Sequence, residues 1–167
     1  MVIKFFMMHA LVSFFSGFPP EVATFILAML PFTEKVSLAI GVAAFHLNGL
    51  EAMFIVTIGN MVPIFLILGL AEKFHLWISK NDGFFGKAWV KTVAHAQGKF
   101  AKYQKYELWG LFIFMSLPIP INGGISGALI AFILGMPAKK AWPYLFAGVI
   151  LSNLITLAVT AGMIKIF

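Results

Sequence analysis

Two charged residues and three asparagines interrupt the apolar stretches of this chain. Glu34 and Lys35 stand side by side in LPFTEKVSL, residues 30–38. A charge at membrane depth is expensive and marks ion or proton pathways. Glu34 is suited to carry a proton or a cation, or to bind a cationic group. Lys35 is suited to hold a phosphate. The plainer reading is that the two pair with each other or cap the helix that follows, a place where Glu needs no further role. Asn122 and Ser126 lie in SLPIPINGGISGALIA, residues 116–131, as candidates to line a polar path. Asn60 in GNMVP (59–63) and Asn153 in LSN (151–153) occupy broadly corresponding places in two apolar runs. They suit a central polar cavity or interhelical hydrogen bonds equally well. Pro63 would free carbonyls one turn back, near Gly59 and Asn60.

Other chemistry is thinly represented. His9, His46, His75 and His95 are far apart and lack metal-ligand spacing, so no metal site is expected. The chain has no cysteine, which excludes disulfides and thiolate ligands. There is no Ser-His-Asp order, no phosphate loop and no pair of intramembrane aspartates. Neither an enzyme nor a cofactor is expected.

The elements that position these residues belong to a membrane. The chain has 167 residues, 61% hydrophobic and 11% charged, and a mean hydropathy of +0.97. A soluble domain carries about 25% charged residues. All 12 basic residues are Lys, which removes bidentate guanidinium recognition of phosphate. The net charge of +6 is read as lysines facing anionic lipid, not nucleic acid. Residues 1–18 have Lys4 before an apolar run but no cleavage site of the A-x-A kind, and read as an uncleaved interfacial helix, with a tilted span as the rival.

Crossing the hydrocarbon core takes about 20 helical residues. Residues 51–70 and 141–164 meet that. Residues 20–47 and 107–135 do not. Each of these has two apolar arms of about 10–12 residues around a broken centre, and one arm reaches about half the core thickness. Pro31, Pro118 and Pro120 break helices at the two tips. Gly123, Gly124 and Gly127 read as close-packing residues in the second tip. The expectation is therefore two re-entrant hairpins.

Leu30-Pro31 falls on Leu117-Pro118 at an offset of 87, so the chain reads as two copies of one unit. Repeat 1 covers 19–70 and repeat 2 covers 107–164. Residues 71–106 between them interleave seven lysines with aromatic residues, and read as amphipathic surface helices broken at Asn81-Asp82-Gly83. Each unit crosses once, so the two are inverted. Nine lysines, Lys139 and Lys140 included, then fall on one side against Lys4 and Lys165 on the other. The positive-inside rule makes the richer side cytoplasmic. The fold class expected is an all-α integral membrane protein of a cell membrane. Broken helices in inverted repeats are the architecture of secondary transporters.

Three stretches, LPFTEKVSLAIG (30–41), GNMVP (59–63) and LPIPINGGISGALIAFILGMP (117–137), resemble the small multidrug export protein family of prokaryotes. The resemblance covers about residues 20–163. The family pattern P-x-P-G-T-G-x-x-x-G-A-L-x-A is kept at Pro118, Pro120, Gly123, Gly127, Ala128, Leu129 and Ala131. Ile121 and Asn122 depart from it. At the first tip, P-x-x-E-x-R is matched by Pro31 and Glu34, with Val36 in place of Arg and Lys35 one residue away. The family is similar, distantly, to the DedA (VTT-domain) superfamily, which implies lipid translocation more than drug export.

The first expectation is thus a transporter that moves or scrambles phospholipid or polyprenyl-phosphate lipids through a polar groove between the hairpins. The alternative is a proton- or ion-coupled exporter of small cationic or amphipathic solutes using Glu34. A third reading, a non-transporting membrane-assembly factor, expects a dry, packed centre. Membrane lipids are the expected partners, and small-residue faces make a homodimer plausible.

Overall fold

The structure is a computed structural model. It describes residues 10, 12–31, 33–80, 83, 86–88, 90, 91, 94, 104–119 and 123–166. Among the described residues, the helices that position the centre are α1 Pro20–Met29, α2 Ser37–Ala43, α3 Gly49–Ser79, α4 Gln104–Ser116, α5 Gly124–Ile133 and α6 Ala138–Ile166. No strand occurs among the described residues.

Local chemistry sets the helix ends. Pro20 opens α1, where a missing N–H costs nothing. Leu30 leaves helical geometry with ψ 135°, as a residue before proline does. Asn48 caps α3, its side chain accepting from the Leu50 amide at 3.0 Å. Gly135, at φ 71°, ends the stretch after α5. The Met136 amide donates to Ala131 and the Gly135 amide to Phe132, each at 2.9 Å. Those two bonds are the Schellman pattern. His46, at φ 58°, is also left-handed, two residues past the Ala44 cap of α2. In both halves the left-handed residue lies three positions ahead of a long helix.

The two long helices contain the apolar runs Gly49–Leu70, 22 residues with mean hydropathy 2.3, and Ala138–Gly162, 25 residues with mean hydropathy 1.9. At 1.5 Å per residue, 22 residues rise about 33 Å, enough to cross a core of about 30 Å. The short helices α1 and α5, 10 residues each, rise only about 15 Å. No break separates residues 51–70 from the segment after them, because α3 continues to Ser79. The sequence AEKFHLWIS loses hydropathy there but has no Gly or Pro to stop a helix.

Small polar side chains are buried beside the apolar core, while many large apolar ones are exposed. Thr57 and Asn60 on α3, and Ser152 and Asn153 on α6, face inward. Phe54 (68% exposed) and Phe65 (54%) on α3, with Leu154 and Val159 on α6, face outward. Large apolar side chains outside and small polar ones inside are the pattern of a lipid-solvated bundle. Trp109 packs edge-on against Tyr144, and Trp142 lies between Phe65 and Phe146. These rings stand beside Lys139 and Lys140, an arrangement that fits a membrane interface. The chain is a membrane protein.

The halves are packed alike. In each, the first short helix lies on its own long helix, α1 on α3 and α4 on α6. The second short helix reaches the long helix of the other half, α2 to α6 and α5 to α3, and the long helices touch each other. Glycines allow the first contact. A Cβ on Gly59 would meet Ala28 Cβ at 2.7 Å and Phe25 O at 2.9 Å. One on Gly148 would meet Met115 Cβ at 2.5 Å and Phe112 O at 3.1 Å. Backbones approach this closely only where no side chain intervenes.

One apolar core spans α3 to α6 around Ile64, Met115, Ala128 and Leu145. A second joins Phe15 to Ala23, Leu27 and Ile40, so the end of the N-terminal segment packs on α1 and α2. Residues 1–9 and 11 of that segment, and residues 81 and 82 of the proposed break, lie outside the described residues.

Candidate functional site

Pro31 ends α1, and the chain then turns back into α2 through residues 33–36. The Thr33 hydroxyl donates to the Leu27 carbonyl at 2.6 Å, closing one orphan carbonyl of α1. The Ser37 hydroxyl donates to the Glu34 carbonyl at 2.8 Å. These bonds hold the tip so that Glu34 and Lys35 point inward, 3% and 6% exposed.

Both charges reach across to the other half. Glu34 Oε1 accepts a short hydrogen bond from the Gly124 amide, at the first turn of α5. Lys35 Nζ donates to Met115 O at 3.3 Å, in the last turn of α4, and to Ser152 Oγ of α6 at 3.1 Å. A helix N-terminus is partially positive and a C-terminus partially negative. The carboxylate therefore sits on the positive end of α5 and the ammonium on the negative end of α4. The plainer expectation was that Glu34 caps the helix following it; it caps α5 of the opposite half instead.

The approach is close because glycines line it. A Cβ on Gly123 would collide with Glu34 Oε2, and one on Gly124 would meet Ile64 Cγ1 at 2.7 Å and Asn60 O at 3.2 Å. Gly127 abuts the Met115 sulfur. The three glycines thus seat α5 against α3, α4 and the first tip.

Asn153 Nδ2 donates to Thr57 Oγ1 at 2.9 Å, linking α6 to α3. This is the interhelical hydrogen bond the sequence left open against a cavity. Asn60 is fully buried, and neither Oδ1 nor Nδ2 has a hydrogen-bond partner among the described residues. Ser126 donates to the Gly123 carbonyl at 2.8 Å, an interaction local to the start of α5. Pro31 and Pro118 are exposed at the tips. Pro120 and Asn122 lie outside the described residues.

Glu34, Lys35, Asn60, Gly123, Gly124 and Asn153 thus come together at the centre. Thr57, Met115 and Ser152 join them without having been singled out from the sequence. Ser152 adjoins Asn153, and Thr57 lies one turn before Asn60, so two polar residues per long helix at helical spacing was the available signal. The Met115 contribution is a backbone carbonyl, which no side-chain pattern reveals. Among the described residues there is no group of three His, Cys, Asp or Glu able to hold a metal.

A second feature lies at the other end of α4. Glu107 and Leu108 line a cavity of about 310 Å³ with Leu134, Gly135, Met136, Pro137 and Lys140. The start of α4, the end of α5 and the start of α6 therefore open at one end of the molecule.

The family model described as "Putative small multi-drug export protein" matches residues 34–155. That range begins at Glu34 and takes in every central residue named above. No curated protein and no solved structure matches the chain.

Proposed function

The chain belongs to the small multi-drug export family, and we propose from that premise that it is a gated membrane transporter, an ion- or proton-coupled exporter of small amphipathic solutes that carry a cationic group. The observation that carries this reading is the central pair. Glu34 and Lys35 are buried, and each is bound to one end of the broken helix of the other half. A charged group in such a place is both a site and a latch. A carboxylate hydrogen bond is about twice as strong as a neutral one. A proton or a cationic solute arriving at Glu34 weakens its hold on α5 and frees the halves to part. Proton and solute then compete for one carboxylate, and that competition is coupling.

The architecture we assign is two inverted repeats. The 10-residue lengths of α1 and α5, too short to cross the hydrocarbon core, support re-entrant hairpins. The matched packing of α2 on α6 and α5 on α3 supports the repeat. The lysine distribution supports a multi-pass protein of a prokaryotic cell membrane with residues 71–106 and 139–140 cytoplasmic. It works as a carrier, not an enzyme, in contact with membrane lipids.

Lipid translocation is the second reading, and it has one observation in its favour. The tip residues Leu30, Leu117 and Ile119 are 39–45% exposed on the outer surface, where acyl chains would touch them. An open polar groove would leave the central charges accessible, whereas they are buried; with the family description this supports the exporter over the lipid reading. Proteoliposomes decide between them. Wild-type protein should drive accumulation of a lipophilic cation such as ethidium in response to a pH gradient, and Glu34→Gln should abolish the response. Labelled phospholipid flipping without a gradient, and no cation movement, would favour the lipid reading. Movement of neither would leave the assembly-factor reading standing.

A further inference from the structure

Three helix ends meet around the 310 Å³ cavity, and two opposite charges line it. Glu107, half-buried, stands in the first turn of α4, and Lys140, exposed, in the first turn of α6. Among the described residues the two make no ion pair with each other. Leu108, Leu134, Met136 and Pro137 supply apolar wall between them. Residues 134–137, which link α5 to α6, leave no amide for an anion. The Leu134 amide donates to Ile130, the Gly135 amide to Phe132 and the Met136 amide to Ala131, each at 2.9 Å, and Pro137 has no N–H. An anionic group entering the cavity therefore depends on Lys140 and the positive start of α6. A cationic group has Glu107 and the carbonyl end of α5.

The surroundings say where such a ligand comes from. Trp109 lies two residues after Glu107 and Trp142 two after Lys140, in the aromatic layer that fits the membrane interface. From there Trp109 and Ile113 on α4, and Ile133 and Leu129 on α5, continue as outward apolar pairs one turn apart, all 40–59% exposed. Both pairs run from the cavity end of the molecule toward its middle, as acyl chains do.

We propose that the cavity seats the headgroup of a phospholipid bearing both a phosphate and a primary ammonium, the phosphatidylethanolamine class, from the leaflet on the Lys139–Lys140 side. The ammonium takes Glu107, the phosphate takes Lys140, and the short chain between them lies on the apolar wall. The acyl chains run outside, along α4 and α5. A volume of about 310 Å³ is at the small end of ligand sites, about 300–1,000 Å³, which suits a headgroup whose tails stay in the bilayer. The lipid is a resident and not cargo: by bridging the two charges it fastens the start of α4 to the start of α6. Glu107 supplies the selection. The methylated ammonium of phosphatidylcholine has no N–H to donate to it, and phosphatidylglycerol brings no cation at all. Lys140 supplies affinity for any phosphate. The seat is independent of what the central pair carries.

Native mass spectrometry of the full chain, released from nanodiscs holding equal parts of the three lipids, reads which lipid is retained. Phosphatidylethanolamine should exceed each of the others about fivefold, the worth of one charged hydrogen bond at a partly exposed site. Glu107→Lys should reverse the order in favour of phosphatidylglycerol, a gain that misfolding does not produce. Lys140→Gln should lower retention of phosphatidylethanolamine and phosphatidylglycerol alike. Lys139→Gln, exposed and outside the cavity lining, should change nothing. Phosphoethanolamine added in water at the concentration of the lipid should not displace it; displacement would assign the cavity to a free solute and overturn the lipid seat. Equal retention of the three lipids, or the same order in Glu107→Lys, also overturns the proposal. Cation transport is assayed separately in proteoliposomes. Its absence with the lipid order intact sinks the exporter reading and leaves the seat, and its presence with no lipid order does the reverse.

Discussion

Gly124→Ala is the sharpest probe of the central packing. The new methyl would stand 2.7 and 2.8 Å from Ile64 Cγ1 and Cδ1. Carbon atoms settle at about 3.5–4.0 Å, so α5 or Ile64 must yield by about 1 Å. Ile64 is fully buried. Overpacking of this kind costs about 1–3 kcal/mol. If α5 moves instead, the Gly124 amide leaves Glu34, and a hydrogen bond to a charged group is worth about 1.5–3 kcal/mol. The expected loss is therefore about 1–3 kcal/mol by either route. Gly162→Ala is the internal control. Its Cβ meets nothing within 4 Å, so it should gain about 0.5–1 kcal/mol in α6. Unfolding by SDS in mixed micelles, followed by tryptophan fluorescence, measures both. Ile64→Ala, which removes both Cγ1 and Cδ1, costs about 2–5 kcal/mol alone but should relieve the clash in the double variant. The coupling should be about 1 kcal/mol. If Gly124→Ala is as stable as Gly162→Ala, or if the double variant is simply additive, the close seating of α5 on α3 is wrong.

Three other outcomes follow from the same contacts. Lys35→Met leaves Glu34 as a buried charge without its neighbour and should cost about 3–5 kcal/mol, most of it recovered when Glu34→Gln is added; SDS titration reads both. Thr57→Val removes the acceptor that Asn153 uses at 2.9 Å and should destabilise by about 1–3 kcal/mol through the orphaned amide, measured the same way. Ile58→Lys puts a charge on the outward face in the middle of the Gly49–Leu70 run, and should cost about 2.5–3.5 kcal/mol of insertion; unchanged membrane yield in cells would argue that this face meets water.

The sequence carried the broad plan because the plan depends on local signals. Pro31 and Pro118 mark where α1 and α4 stop, since proline constrains the residue before it wherever it occurs. The polar residues of the centre stood out because Glu, Lys and Asn are rare in apolar runs. Their partners did not, because Glu34 and Gly124 lie 90 positions apart and hydropathy says nothing about which ends meet. The asparagines show the limit most clearly. Asn153 and Asn60 looked equivalent, yet one is hydrogen-bonded to Thr57 and the other is buried with no partner among the described residues. That difference comes from tertiary packing around the start of α5. The continuation of α3 to Ser79 was missed for the opposite reason: falling hydropathy suggested a boundary where the backbone had no cause to stop.

The bonds across the halves also bear on how the chain is made. Glu34 finds its donor 90 residues further along, and Lys35 reaches Ser152 only 117 residues later. At about 5–20 residues per second, the ribosome needs on the order of ten seconds to supply them. During that interval the first tip carries two charges with no counterpart in the nascent chain, and the hydrocarbon interior is a costly place to wait. The first hairpin is therefore expected to stay at the water boundary or inside an insertion machine until α5 and α6 emerge. Burial of the tip becomes the closing event of biogenesis, and a chain truncated before Ser152 should be handed to quality control.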